Sequence, residues 1–243
     1  MDRRDFFKTI LSTPLLAPLL VGSSSSADDA LFLISGSPET YLPSLLEETN
    51  GLMKPHARRY AFLDAHPQKK ALSHALKASG WKITSLGQKP DLAISFRPLQ
   101  FPAPPSFTVV RAGKILDVRT KKLFSLWEEM NQKNPRSSCL TVATLQTQRL
   151  GNSPGKFVRI YHNGQVVEEA SLKKDRVQTF GSEKGKLVVK IENGKASIPS
   201  SSCRHKICCW APPVSSSGER IVCAPNHFLL EIKGQGFVDT IIG

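Results

Sequence analysis

The 243-residue chain contains no G-x-S-x-G elbow, no Walker phosphate loop and no dinucleotide-binding glycine pattern. The usual signatures of serine hydrolases, P-loop nucleotide hydrolases and nicotinamide or flavin dinucleotide enzymes are therefore missing. Its cysteines form neither the C-x2-C knuckles of zinc sites, nor the C-x-x-C-H of haem attachment, nor a common ferredoxin spacing. After the first two dozen residues, no apolar run approaches the about 20 residues that a helix needs to cross a bilayer core of roughly 30 Å. His56, His66 and His74 have no nucleophile and carboxylate set around them, and most lone histidines are surface or packing residues. No catalytic residue is assigned. Acids are also scarce, with 20 Asp and Glu against 33 Lys and Arg, a net charge of +13.

What is present begins at the N-terminus. The chain opens M-D-R-R-D-F-F-K, continues through an apolar stretch from Ile10 to Val21 that Pro14 and Pro18 interrupt, and reaches Ser23, Ser24, Ser25, Ser26 and Ala27. A basic start, a short apolar core and small residues at a cleavage point are the parts of an export signal. Arg3, Arg4, Phe6, Phe7 and Lys8 resemble a twin-arginine motif, which implies the twin-arginine export machinery as a partner and the periplasm as destination. Residues 1–27 are read as that signal, with cleavage after Ala27. The apolar stretch is too short to anchor the chain as a transmembrane helix.

Removing the signal takes away three bases and two acids, so the remainder is nearly as basic. An exported protein seldom meets nucleic acid. The charge is expected instead to form a solvated basic surface, spread over Arg58, Arg59, Lys69, Lys70, Arg119, Lys121, Lys122, Lys173, Lys174 and Arg176, with anionic headgroups or an acidic envelope protein as the contacts it suits.

An α+β architecture is expected, in two parts around the turn-rich G-N-S-P-G at 151–155. Residues 30–150 read as an α/β-type region. Strands are expected at Leu31 to Ser35, Tyr60 to Leu63, Trp81 to Leu86, Leu92 to Phe96 and Phe107 to Val118, the last with a turn at Ala112 and Gly113. Helices are expected at Tyr41 to Asn50, Gln68 to Ser79 and Lys121 to Gln132, with Leu123, Phe124 and Trp127 sharing a face of the last. The F-P-A-P-P at 101–105 reads as a stiff connector. Residues 156–243 change texture to short strands at Phe157 to Tyr161, Val166 to Glu168, Lys186 to Ile191, Ala196 to Ile198, Ile221 to Cys223 and Phe228 to Ile232. The H-N-G at 162–164 and E-N-G at 192–194 supply hairpin turns. A small all-β barrel or sandwich is expected there.

This second part resembles the NusG domain II family through V-R-I-Y-H-N-G at 158–164, V-K-I-E-N-G-K at 189–195, the S-x-C-x-x-x-I-C of Ser201 to Cys208, I-V-C-A-P-N at 221–226 and the ending V-D-T-I-I-G. The family pattern usually has an apolar residue where Cys209 stands and a basic one where His227 stands. Exported members tend to accompany membrane-linked, flavin-based electron-transfer systems. The resemblance thus implies association with such a system; with the export signal it leads to the expectation of an accessory protein that acts by binding beside an envelope electron-transfer or cofactor-maturation system, with no cofactor of its own favoured.

Cys203, Cys208, Cys209 and Cys223, four of five cysteines, fall in one window of this part. Three readings compete. A structural disulfide among Cys203, Cys208 and Cys223 is favoured: a Cys203–Cys208 bond contributes roughly 2 kcal/mol by chain entropy and Cys203–Cys223 about 3 kcal/mol. Neighbouring Cα atoms, about 3.8 Å apart, disfavour a Cys208–Cys209 bond. If that segment is extended, only one of the two side chains meets the others, and the family pattern selects Cys208. Metal binding is the second reading, with Cys203, His205, Cys208, Cys209, Cys223 and also His227 as donors. Redox exchange beside Arg204, His205 and Lys206 is the third. An odd number leaves at least one free thiol unless chains are linked. Finally, T-V-A-T-L-Q-T at 141–147 faintly resembles a flavin-attachment motif with Thr144 as acceptor. Val142 replaces the motif's glycine, and a plain strand is the favoured reading.

Overall fold

The computed structural model describes residues 29–49, 58–84, 90–117, 120–133, 135–145, 154–182 and 185–234. The export motif at Arg3, Arg4, Phe6, Phe7 and Lys8 lies outside them, as do Gly51, most of the 151–155 joint and the V-D-T-I-I-G ending. The fold is mostly β, in several sheets.

The first sheet has seven strands: β1 (Ala30–Ile34), β2 (Arg59–Phe62), β3 (Lys82–Ile83), β4 (Leu92–Ala103), β5 (Ser106–Arg111), β6 (Lys114–Leu116) and β7 (Ser137–Leu145), in the order β3-β2-β4-β7-β1-β5-β6. β2 runs parallel to β3 and β4, while the remaining pairings are antiparallel. Three helices, α1 (Pro38–Glu48), α2 (Lys69–Ala78) and α3 (Lys121–Lys133), complete this part. Strand alternation sends Leu31 and Leu33 of β1 to one face, where they join Leu42 and Leu45 of α1, Leu72 and Leu76 of α2 and Leu123 of α3. Ala30, Phe32 and Ile34 point to the opposite face, which is also covered. A strand buried on both sides reads as a continuous apolar run, which is what A-L-F-L-I is.

The second part contains β8 (Phe157–His162), β9 (Gln165–Ser171), β10 (Arg176–Ser182), β11 (Gly185–Glu192), β12 (Lys195–Ser201), a one-turn helix α4 (Ile207–Trp210), β13 (Arg220–Cys223) and β14 (Phe228–Lys233). They form a three-stranded sheet, β10-β11-β12, and a four-stranded sheet, β13-β14-β8-β9. Val158, Ile160, Leu230 and Ile232 of one meet Leu187, Val189, Ile191 and Ile198 of the other in a common core, so a sandwich rather than a closed barrel is observed. Both expected hairpin turns form. Asn163 and Gly164 (φ 53° and 84°), and Asn193 and Gly194 (φ 52° and 74°), place two successive residues in the left-handed region, as a type I′ turn requires.

The outer face of the four-stranded sheet packs on the free face of the first sheet. Tyr161, Leu229 and Val222 meet Phe32, Ile34, Leu99, Val110 and Leu140. The contact is close: a Cβ on Gly113, in the β5–β6 turn, would lie 2.6 Å from Cδ1 of Tyr161. Arg97 pairs with Glu219, and the Phe101 ring meets Trp210 edge-on at 5.8 Å, both across the same junction.

Several expectations need correction. Phe101 to Ala103 are not a connector but the end of β4, where Ala103 pairs with Ser137 after an irregularity. On α3 only Leu123 of the three named residues is buried; Phe124 and Trp127 are exposed and stack on each other at 5.9 Å. Helical spacing puts them on a shared stripe, but Leu123 and Met130, with the half-buried Leu126, are the positions that join the core. β10 went unread because R-V-Q-T-F-G-S combines a polar edge strand with a glycine, and the cysteine segment is helical at 207–210 rather than extended.

Candidate functional site

Three elements bring three sulfurs together. Cys203 follows the end of β12, Cys208 sits on α4, and Cys223 closes β13; their Sγ atoms all lie within 4.8 Å of one another. Cys203 Sγ and Cys208 Sγ are 3.6 Å apart. All five cysteines are free thiols here, so no disulfide joins the triad. The residues are 6, 2 and 1% exposed, respectively, packed among Ile198, Val214 and Phe228.

The loop that carries Cys203 is held by side chains. Ser201 Oγ accepts from the Cys203 backbone N–H at 3.2 Å and from Asn226 Nδ2 at 3.0 Å, and lies 3.4 Å from Cys223 Sγ. With its lone pairs so engaged, the hydroxyl proton is left to donate to the Cys223 sulfur. Asn226, itself buried, also donates to Ser202 Oγ at 3.3 Å. Lys206, with φ 54°, turns the chain into α4: its carbonyl accepts from Cys209 N, and its Nζ donates to the Ser201 carbonyl.

The thiols are not equivalent. Hydrogen bonds from Cys208 and Cys223 hold the Cys203 thiol below the usual range. Cys208, as donor to Cys203, is pushed up, and Cys223 likewise. Burial raises Cys209 and Cys139.

Of the metal donors expected from sequence, the structure assembles Cys203, Cys208 and Cys223. Among the described residues, His205, Cys209 and His227 are outside that group. His205 is exposed but lines a cavity of about 100 Å³ that touches all three triad cysteines and is also lined by apolar residues such as Ile34, Leu99 and Leu140 and by Ser106, Thr108 and Arg220. Ser201 and Asn226 both stand inside the motifs that carry the resemblance, but nothing in their linear spacing marks them as partners of the triad.

Thr144 lies within β7, paired with Ala30 on one side and Ala93 on the other, and is 9% exposed. It borders a polar cleft of about 360 Å³ with Ser95, Arg97 and Ser216. The backbone there is strand, as the favoured reading expected.

His66, expected to be a surface or packing residue, is buried. His66 Nδ1 accepts from the Gln68 backbone N–H at 3.1 Å, so Nε2 carries the proton and donates to Thr141 Oγ1 at 2.9 Å. Burial lowers the His66 pKa from 6.5, partly opposed by Asp64. The unfolded chain therefore binds this proton at a higher pH than the folded one, and stability declines as pH falls below 6.5 toward the lowered folded value. Urea midpoints measured across this window fall with pH in the parent chain, and the slope flattens in His66→Leu; an unchanged slope would remove His66 as its cause.

Residues 137–236 match the family model of NusG domain II, a match that begins on β7 of the first sheet. No curated protein matches the chain. Similar solved structures include a DUF1312 family protein from Ruminococcus gnavus, at 29% identity and a TM-score of 0.29 over 32% of this chain and 97% of that one. The Lin0431 protein from Listeria innocua, at 20% identity and a TM-score of 0.31, is aligned over 32% and 95%. A DUF1312 family protein from Enterococcus faecalis, at 12% identity and a TM-score of 0.31, is aligned over 32% and 97%. By the family model, the region of residues 137–236, which includes the sandwich and its cysteine loop, is NusG domain II-like.

Proposed function

We propose that the chain is an exported, periplasmic accessory protein, an α/β-type N-terminal unit joined to a NusG domain II-like domain, that acts by binding a partner beside an envelope flavin-based electron-transfer or cofactor-maturation system. The observation that carries a binding role is the direction of the reactive groups. The triad thiols point into the sandwich and Thr144 is buried in a strand, whereas the surface presents bases and the stacked Phe124–Trp127 pair. Exposed aromatic rings are favoured in protein contacts. The export motif, the basic surface and the family resemblance support the envelope setting, with anionic headgroups as an additional contact.

Two measurements test this reading. Changing Arg3 and Arg4 together to Lys is expected to abolish periplasmic accumulation; undiminished accumulation refutes the twin-arginine route. The purified processed protein is expected to be colourless, and a flavin or iron–sulfur spectrum overturns the binding role. The convergence of three sulfurs favours a second reading, a protein that carries a soft cation.

A further inference from the structure

We propose that Cys203, Cys208 and Cys223 form a buried site for one soft d10 cation, Zn(II) or Cu(I), bound by three thiolates. With metal–sulfur bonds of about 2.3 Å, ligand sulfurs stand about 3.8 Å apart in a tetrahedral site and about 4.0 Å apart in a trigonal one. The 3.6 Å between Cys203 and Cys208, and the 4.8 Å limit that contains all three, bracket those spacings. A disulfide needs its sulfurs at about 2.05 Å and uses two of them. The cation uses all three where they stand.

The surroundings fit the same class. Thiolates without a carboxylate select Cu(I) or Zn(II) over Mg(II) or Ca(II), and the donor group here is sulfur alone. Asn226 and the Cys203 N–H both bond Ser201 Oγ rather than sulfur, and the polar contact from the Ser201 hydroxyl to Cys223 leaves that sulfur further lone pairs for a cation. The three ligands come from separate elements of one hydrophobic core, so folding assembles the site. The cavity of about 100 Å³ beside it leaves room for a fourth ligand. Zn(II) with three protein ligands takes such a ligand; three-coordinate Cu(I) leaves the position empty. Binding displaces thiol protons, so affinity falls as pH is lowered.

The site depends on a reduced, folded chain and not on the accessory role proposed above, so either can fail alone. The test uses the folded chain, reduced by a phosphine without oxygen and freed of metal. It is titrated separately with Zn(II) and with Cu(I) against chromophoric chelators, and with Co(II) as a visible probe. One equivalent is expected to bind, with sulfur-to-cobalt charge transfer. Alkylation followed by mass spectrometry is expected to show Cys203, Cys208 and Cys223, but not Cys209, slowed by the bound cation. Tighter binding of one ion over the other assigns the site to it. Uptake of no cation by the reduced chain overturns the proposal, as does protection that omits a triad cysteine. These readings need no variant. Cys203→Ala, Cys208→Ala and Cys223→Ala, each checked for a native melting transition, are expected to weaken binding by about 100-fold or more, while Cys209→Ser leaves it unchanged. Equal binding by a folded Cys223→Ala chain overturns the site as drawn.

Discussion

Replacing Glu231 with alanine is expected to lower the unfolding free energy by about 3–5 kcal/mol, the usual cost of leaving one member of a buried ion pair without its partner. The Arg220 and Glu231 side chains are each 2% exposed. Glu231 Oε1 accepts from Arg220 Nη2 at 2.6 Å and Nε at 3.0 Å, while Oε2 accepts from Tyr161 Oη at 3.1 Å and pairs with Lys233 Nζ at 2.7 Å. Arg220 Nη1 is buried with no partner, so the guanidinium has no spare compensation when Glu231 is removed. The double change Arg220→Met, Glu231→Leu is expected to restore most of the loss, because it removes both desolvated charges. Urea unfolding followed by tryptophan fluorescence measures each step. A Glu231→Ala chain within 1 kcal/mol of the parent, a margin well below that cost, contradicts a buried pair.

The same network sets an acid limit. Burial raises the Glu231 carboxyl, but Arg220 and Lys233 outweigh it and hold the group below its ordinary 4.5. The unfolded chain takes up this proton first as pH drops. The network's stability is therefore complete above 4.5 and is lost as pH falls through the lowered folded value. Burial and the Glu231 charge push Tyr161 up to about 12, so its phenol remains a donor throughout the neutral range.

Phe228→Ala is expected to cost about 3–5 kcal/mol, the range for removing a fully buried aromatic ring. Phe228 is 1% exposed, stacks on His162 at 4.5 Å and tilts against Phe180 of the opposing sheet at 6.0 Å. It also faces Cys223 in the β13–β14 register. Its loss opens a cavity between the two sheets, beside the triad. Exposed Val177, on β10 of the same domain, serves as the control, and Val177→Ala is expected to stay within about 0.5 kcal/mol of the parent. Thermal unfolding of both variants compares the two; equal transitions contradict the packing described for Phe228.

Strands and turns were legible wherever local chemistry decides them. Asn163–Gly164 and Asn193–Gly194 form type I′ turns because the left-handed region costs these residues little, whatever surrounds them. Gly80, at φ 80°, follows α2 for the same reason. Faces were harder to read where two partners compete for one element. The spacing of Leu123, Phe124 and Trp127 cannot say how wide a stripe the core will cover, and the core takes in Leu123 and Met130, with Leu126 half-buried. The F-P-A-P-P segment carries prolines that suggest an extended piece, but only pairing with Ser137 makes part of it strand.

At the candidate site, the residue types and order of Cys203, Cys208 and Cys223, and their place in a small β domain, were readable from spaced motifs. Their convergence was not. Linear spacing is silent on how β12, α4 and β13 approach one another, and the one-turn helix that aims Cys208 inward follows from Lys206 in the left-handed region. His66 and Thr141, 75 residues apart, meet for the same kind of reason. Local propensities and composition are properties of neighbouring residues and belong to the chain; which sulfurs share a core, which charge is desolvated and which sheet face is covered depend on long-range burial, and the fold alone decides them.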